Sequence, residues 1–98
     1  MAMFMAHMVH PAESCYVFNV ENKKKLAELA SKKEEIAKKH EIKVISAVYP
    51  PLEHEIFYVV EAPSFKNVER YLKDIGFAFY NKITIKHVEP MEEALGKL

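Results

Sequence analysis

The sequence MFMAHMV at residues 3–9, followed by HPAESC at residues 10–15, is the most informative part of the chain for its fold. The first part is apolar on both alternating faces, which is typical of a strand in the centre of a sheet. Pro11 restricts His10 to an extended conformation and has no N–H to offer a sheet, so the strand is predicted to end there. His10, Glu13 and Cys15 then project from a loop, and we expect any chemistry at that end of the sheet.

The composition indicates one small globular domain spanning residues 1–98, because half of the residues are hydrophobic and the length suits a single core. Fourteen basic and fourteen acidic side chains cancel, which argues against nucleic acid or an anionic membrane as a partner. The single cysteine cannot form an internal disulfide, and Met1 to Val9 resembles neither a signal peptide nor a membrane span. We therefore expect a cytoplasmic protein. The preference for Lys and Glu among charged residues is typical of hyperthermophiles.

The hydrophobic periodicity of the chain predicts a β-α-β-β-α-β order. Besides the first strand, the predicted elements are a helix from the Asn19 N-cap to about His40, strands at 43–49 and 54–61, a helix from the Ser64 N-cap to Gly76, a strand at 82–88 and a helical turn at 91–95.

This element order predicts an α+β, ferredoxin-like fold, because right-handed crossovers give an antiparallel sheet in the order 4-1-3-2 with both helices on one face. The first and third strands are apolar on both sides, whereas the helices can cover only one. An uncovered apolar sheet face is a liability in a monomer. We therefore expect a second copy of the chain to cover it.

Four short motifs carry a resemblance to known proteins: His10-Pro11-x-Glu13-x-Cys15, Glu53-His54, Glu61-Ala62-x-Ser64-Phe65 and Val88-Glu89-Pro90-Met91-Glu92-Glu93. With these motifs the chain resembles small, functionally uncharacterised proteins of the dimeric α/β-barrel superfamily. The resemblance implies a homodimer whose sheets pair face to face around a cavity. The superfamily includes monooxygenases, muconolactone isomerases, dye-decolorising peroxidases and proteins without assigned activity, so it implies a fold rather than a reaction.

The predicted topology brings polar side chains together at one end of the sheet. The first and third strands are antiparallel neighbours, so the end of the first (His10) lies beside the start of the third (His54), with Glu13 and Cys15 nearby. Two imidazoles, a carboxylate and a thiolate suit Zn²⁺ or another transition-metal ion. Two other interpretations stay open: a metal-free polar pocket, or a purely structural role in loop capping and packing.

Other residues are candidates for contacts with a small ligand. His7 lies three positions before His10 and therefore points to the opposite face, either into the helix-side core or into the cavity between paired sheets. Tyr58 and Tyr16 could supply phenol hydroxyls to a cavity. Cys15 could also act as a nucleophile if a neighbouring cation or helix N-terminus lowered its pKa.

Three functions agree with these features. The first is a homodimeric α/β-barrel protein that binds a small ligand or a transition-metal ion near the His10–Cys15 loop. The second is a cofactor-free enzyme, monooxygenase-like or isomerase-like, with a histidine as general base in the sheet-face cavity. The third is a structural or regulatory assembly module. The sequence alone does not decide whether the protein is an enzyme.

Overall fold

The computed structural model describes residues 1–15 and 19–96, so Tyr16 lies outside the described residues. Four strands and four α-helices follow one another as β1 (Ala2–Val9), α1 (Val20–Ala30), α2 (Lys33–Lys39), β2 (Lys43–Val48), β3 (Glu55–Ala62), α3 (Phe65–Asp74), β4 (Lys82–Val88) and α4 (Met91–Gly96). Short 3-10 turns occupy Ala12–Ser14 and Phe77–Phe79.

The strands form one antiparallel sheet in the order β2-β3-β1-β4, which is the predicted order 4-1-3-2 read from the opposite edge. β1 is central, with His7 opposite Phe57 on β3 and opposite Thr84 on β4. β2 is an edge strand whose pairing with β3 is shifted by an irregularity between Val44 and Ser46. The predicted α+β, ferredoxin-like fold is confirmed.

The core lies between the sheet and α3. Alternate residues of β1 and β3 point to this side, and they are buried together with one face of α3: Phe4, Ala6, Met8, Val60, Ala62, Val68, Tyr71 and Leu72. Met8 is completely buried in the middle of this layer. The apolar face of α3, which repeats about every 3.6 residues, therefore packs on the apolar face of the strands, which repeats every two residues.

The opposite face of the sheet is apolar at its centre. It carries Met3, Met5 and His7 from β1 and Phe57 and Val59 from β3, all of them half-buried. The helices α1, α2 and α3 contribute side chains on the other side of the sheet. We call this surface, defined by these five residues, the open face.

The expected single helix from Asn19 to about His40 is wrong, because two helices replace it. The Asn19 side chain does cap α1, accepting a hydrogen bond from the Asn22 N–H at 3.0 Å. However, α1 ends at Ala30, where the hydroxyl of Ser31 donates to the Glu28 carbonyl at 2.6 Å. Such side-chain bonds to the backbone compete with helix propagation. No residue of α1 or α2 is fully buried, so tertiary packing does little to oppose the break.

The predicted N-cap position at Ser64 is right, but its hydroxyl bonds the Asn67 side chain at 2.6 Å instead of a backbone N–H. Gly76 ends the α3 region with φ of 98°, a left-handed conformation that favours glycine. None of the helices in residues 1–15 and 19–96 is long and apolar enough to cross a membrane.

Candidate metal centre

The end of β1 places His10 directly beside His54. The His10 N–H donates to the His54 carbonyl at 3.1 Å and so extends the β1–β3 pairing by one residue pair. Because residues opposite each other on antiparallel strands share a face, the two rings become neighbours, with centroids 5.4 Å apart. His10 follows the alternation of Phe4, Ala6 and Met8, and it is accordingly buried on the helix side of the sheet.

The loop after His10 turns back and brings Cys15 to the same place. Pro11 is extended, and the single 3-10 turn that follows closes with the Cys15 N–H donating to the Ala12 carbonyl at 3.2 Å. The start of α1 holds this loop: the Asn22 amide donates to the Ser14 carbonyl at 2.7 Å, and the Asn19 N–H donates to the Cys15 carbonyl at 2.8 Å. Cys15 is buried and free of any disulfide.

One potential ligand atom from each of His10, Cys15 and His54 lies within 4.8 Å of the others. In a tetrahedral zinc site the nitrogen and sulfur ligand atoms are about 3.4–3.6 Å apart, so the three side chains need to approach by about 1 Å to bind an ion. Glu13, the fourth predicted ligand, does not join this group. It is exposed on the 3-10 turn, where the short loop points its side chain to solvent.

His10 is held in one tautomer by Asn81, a residue that the sequence did not single out. The Nδ1 of His10 lies 2.8 Å from Oδ1 of Asn81, while Nδ2 of Asn81 donates to the Phe77 carbonyl at 3.0 Å. A flipped amide would set its own oxygen against the Phe77 carbonyl, so the amide oxygen must face the ring. Nδ1 therefore carries the proton, and the Nε2 lone pair is left for another partner.

The Nε2 atom of His10 is buried and has no hydrogen-bond partner in the part of the chain that the structure describes. His10 is only 6% exposed, and it is the one buried polar or charged residue there. Leaving a buried polar atom unpaired costs about 1–3 kcal/mol, and native structures rarely do so without a functional reason. The atom therefore points to a ligand that is not among the residues that the structure describes.

The two residues predicted to contact a small ligand lie on opposite faces of the sheet. Tyr58 is on the helix side, where burial raises the pKa of its phenol and its ring meets Phe77 edge to face at 5.2 Å. His7 is on the open face, stacked on Phe57 with centroids 4.7 Å apart. They cannot line one cavity within a subunit, because neighbouring positions on paired strands alternate between faces.

Acidic residues surround the outer side of the cluster. His7 Nε2 lies 2.9 Å from Oε1 of Glu55. A hydrogen bond with Glu53 and then one with His7 lower the pKa of the Glu55 carboxyl. The pKa of Glu53 is raised instead, first by its hydrogen bond with Glu55 and then by the like charge. The two neighbouring carboxyls therefore shift each other's pKa in opposite directions.

No known family model matches the chain. A search of curated proteins finds no match either. Inference about function therefore depends on the chemistry of the group formed by His10, Cys15 and His54.

Proposed function

We propose that this protein binds a transition-metal ion, Zn²⁺ in the first place, through His10, Cys15 and His54. The observation that carries the proposal is the buried, unpartnered Nε2 of His10, which belongs to the same group as a buried thiol and a second imidazole. Two nitrogens and one sulfur form a borderline-soft ligand set that suits Zn²⁺ and Co²⁺ better than Mg²⁺ or Ca²⁺.

The hydrogen bond from His10 to Asn81 supports this assignment. Histidines that bind metals almost always donate their second ring N–H to an oxygen acceptor, which fixes the ring and makes the ligating nitrogen more basic. Here the acceptor is an amide oxygen whose own orientation is fixed by Phe77. A histidine that merely capped the loop would not need this arrangement.

The thiolate of Cys15 would contribute one negative charge and the two imidazoles none. Zn²⁺ together with its three protein ligands would therefore have a net charge of +1. Structural zinc sites are closed by four protein ligands, whereas three ligands leave one position for water or a small molecule. A metal that is bound through a reduced thiol also agrees with the expected cytoplasmic location, since thiols stay reduced there.

We further propose that the protein is a homodimer paired through its open face, as the resemblance to dimeric α/β-barrel proteins implies. Met3, Met5 and Val59 give this face an apolar centre that water covers in the isolated chain. A second copy would bury this apolar centre, while Lys86 and Thr84 of β4 would lie at its flank.

A second candidate function rests on His7. Its contact with Glu55 at 2.9 Å is the geometry by which a carboxylate orients a histidine general base. If two open faces pair, His7 would line the cavity between them and could act there without a cofactor, as in a monooxygenase-like or isomerase-like enzyme. An enzymatic activity that is lost in the His7→Gln variant but kept in the Cys15→Ser variant would favour this function over the metal site.

The metal proposal is tested by the metal content of the purified protein and by titration of the metal-free protein with Co²⁺. We expect about one equivalent of metal and a thiolate-to-cobalt charge-transfer band, because Cys15 is the sole sulfur ligand. Cys15→Ser should remove the band, and His10→Gln should weaken binding. The control is His87→Gln, which removes an exposed imidazole outside the group. Equal metal content in all four proteins would disprove the proposal.

A further inference from the structure

A cavity of about 460 Å³ adjoins the candidate metal centre on the helix side of the sheet. His10, Cys15 and His54 all line it, so an ion held between them would face its interior. Small-molecule sites have volumes of about 300–1,000 Å³. The cavity is thus larger than a metal-bound water requires, and it can accept an organic molecule beside the ion.

The remaining walls come from the β2–β3 hairpin. They are mainly apolar, and they consist of Ala47, Val48, Tyr49, Pro51, Leu52, Ile56 and Tyr58, together with Glu53 and Glu55. Among the described residues that line the cavity there is no lysine or arginine. An anionic ligand would therefore find no cationic side chain in these walls to balance its charge.

We propose that the open metal position takes a small, uncharged and partly apolar molecule through a nitrogen donor, as an azole provides. This inference rests on the proposed metal site. A neutral nitrogen donor matches the borderline ion, and the apolar hairpin walls contact the rest of the molecule. Carboxylate ligands are disfavoured, because the walls contain acidic residues and no cationic side chain.

The test compares two ligands that share a phenyl group and differ in the donor: 4-phenylimidazole and benzoate. Each is titrated into the Co²⁺-loaded full-length protein, and the cobalt d–d spectrum reports coordination. We expect saturable spectral changes with 4-phenylimidazole, and binding of benzoate that is weaker by about tenfold or more. Comparable binding by benzoate would overturn the inference, and so would a spectrum that neither ligand changes.

A cavity variant tests where the ligand binds. Ala47→Phe places a bulky side chain in the cavity wall formed by the edge strand β2. It should therefore weaken the binding of 4-phenylimidazole by about tenfold or more. Affinity is measured on the cobalt-loaded fraction of each protein, which separates ligand binding from metal binding. An unchanged affinity in this variant would contradict the cavity as the binding site. If the cobalt–thiolate band never forms, the metal site itself fails, and this inference fails with it.

Discussion

Asn81 offers the sharpest test of how the site is built, because it contacts His10 without belonging to the ligand group. In the wild type, Oδ1 of Asn81 accepts a hydrogen bond from the Nδ1–H of His10 at 2.8 Å, and Asn81→Leu removes this acceptor. A buried donor without a partner costs about 1–3 kcal/mol, so the metal-free protein should lose free energy of unfolding in that range. Metal affinity should also fall by about 10–100-fold, since the ring is no longer held in one tautomer.

The assay is a competition titration of Zn²⁺ against a chelator, combined with urea unfolding of the metal-free protein. Asn81→Asp keeps an oxygen acceptor for His10 and should bind Zn²⁺ more tightly than Asn81→Leu, because carboxylates are common partners of ligating histidines. Its second oxygen replaces the donor to the Phe77 carbonyl, so this variant should also lose stability. The matched control is Asn67→Leu. Asn67 is half-buried and its amide donates to the His40 carbonyl at 3.0 Å, so this variant should lose stability without losing affinity.

The proposed role of Asn81 would be refuted if Asn81→Leu folded and bound Zn²⁺ within about twofold of the wild-type affinity, against the expected loss of about 10–100-fold. It would also be refuted if Asn67→Leu lost as much affinity as Asn81→Leu. In that case the effect would reflect general destabilisation and not the orientation of His10.

Three further predictions concern the fold and the assembly. Gly76→Ala should lower the free energy of unfolding by about 1–2 kcal/mol in urea titrations, because φ is 98° there and the added Cβ meets Leu29 Cδ1 at 2.6 Å; unchanged stability would contradict this. Asp74→Asn should cost about 0.5 kcal/mol at neutral pH, since the hydrogen bond to His40 lowers the pKa of this partly exposed carboxyl. A lowered folded-state pKa stabilises above the unfolded value, and the effect is lost as the pH falls through the folded value, so the variant and wild type should converge in acid. Phe57→Glu should give monomers in sedimentation experiments, because it places a charge in the open face; a dimer that survives this change uses another surface.

Much of the fold follows from local signals in the sequence. The apolar run that ends at Pro11 marks the central strand, and the β-branched and aromatic run within residues 54–61 marks its neighbour. Together with the handedness of crossovers they place His10 opposite His54, which the hydrogen bond of 3.1 Å between their backbones bears out. Cys15 could be placed near them because only four residues separate it from His10.

Other features depend on contacts that no local pattern encodes. Asn81 lies 71 positions from His10 and sits in no recognisable motif, so only the folded chain reveals its role. Glu13 is only two positions from Cys15, but a 3-10 turn whose direction the sequence did not predict places it in solvent. The break between α1 and α2 at Ser31 contains neither glycine nor proline, so no sequence signal predicts it. It depends on the hydrogen bond of the Ser31 hydroxyl and on the weak packing of the two helices.

X-ray absorption at the zinc edge of the loaded protein would identify the atoms that bind the ion. The expected first shell contains one sulfur at about 2.3 Å and two imidazole nitrogens at about 2.0–2.1 Å, with one further light atom or added ligand. Cys15→Ser should remove the sulfur and leave the nitrogens. A wild-type shell of nitrogen and oxygen alone, with no sulfur, would contradict a metal centre built from His10, Cys15 and His54.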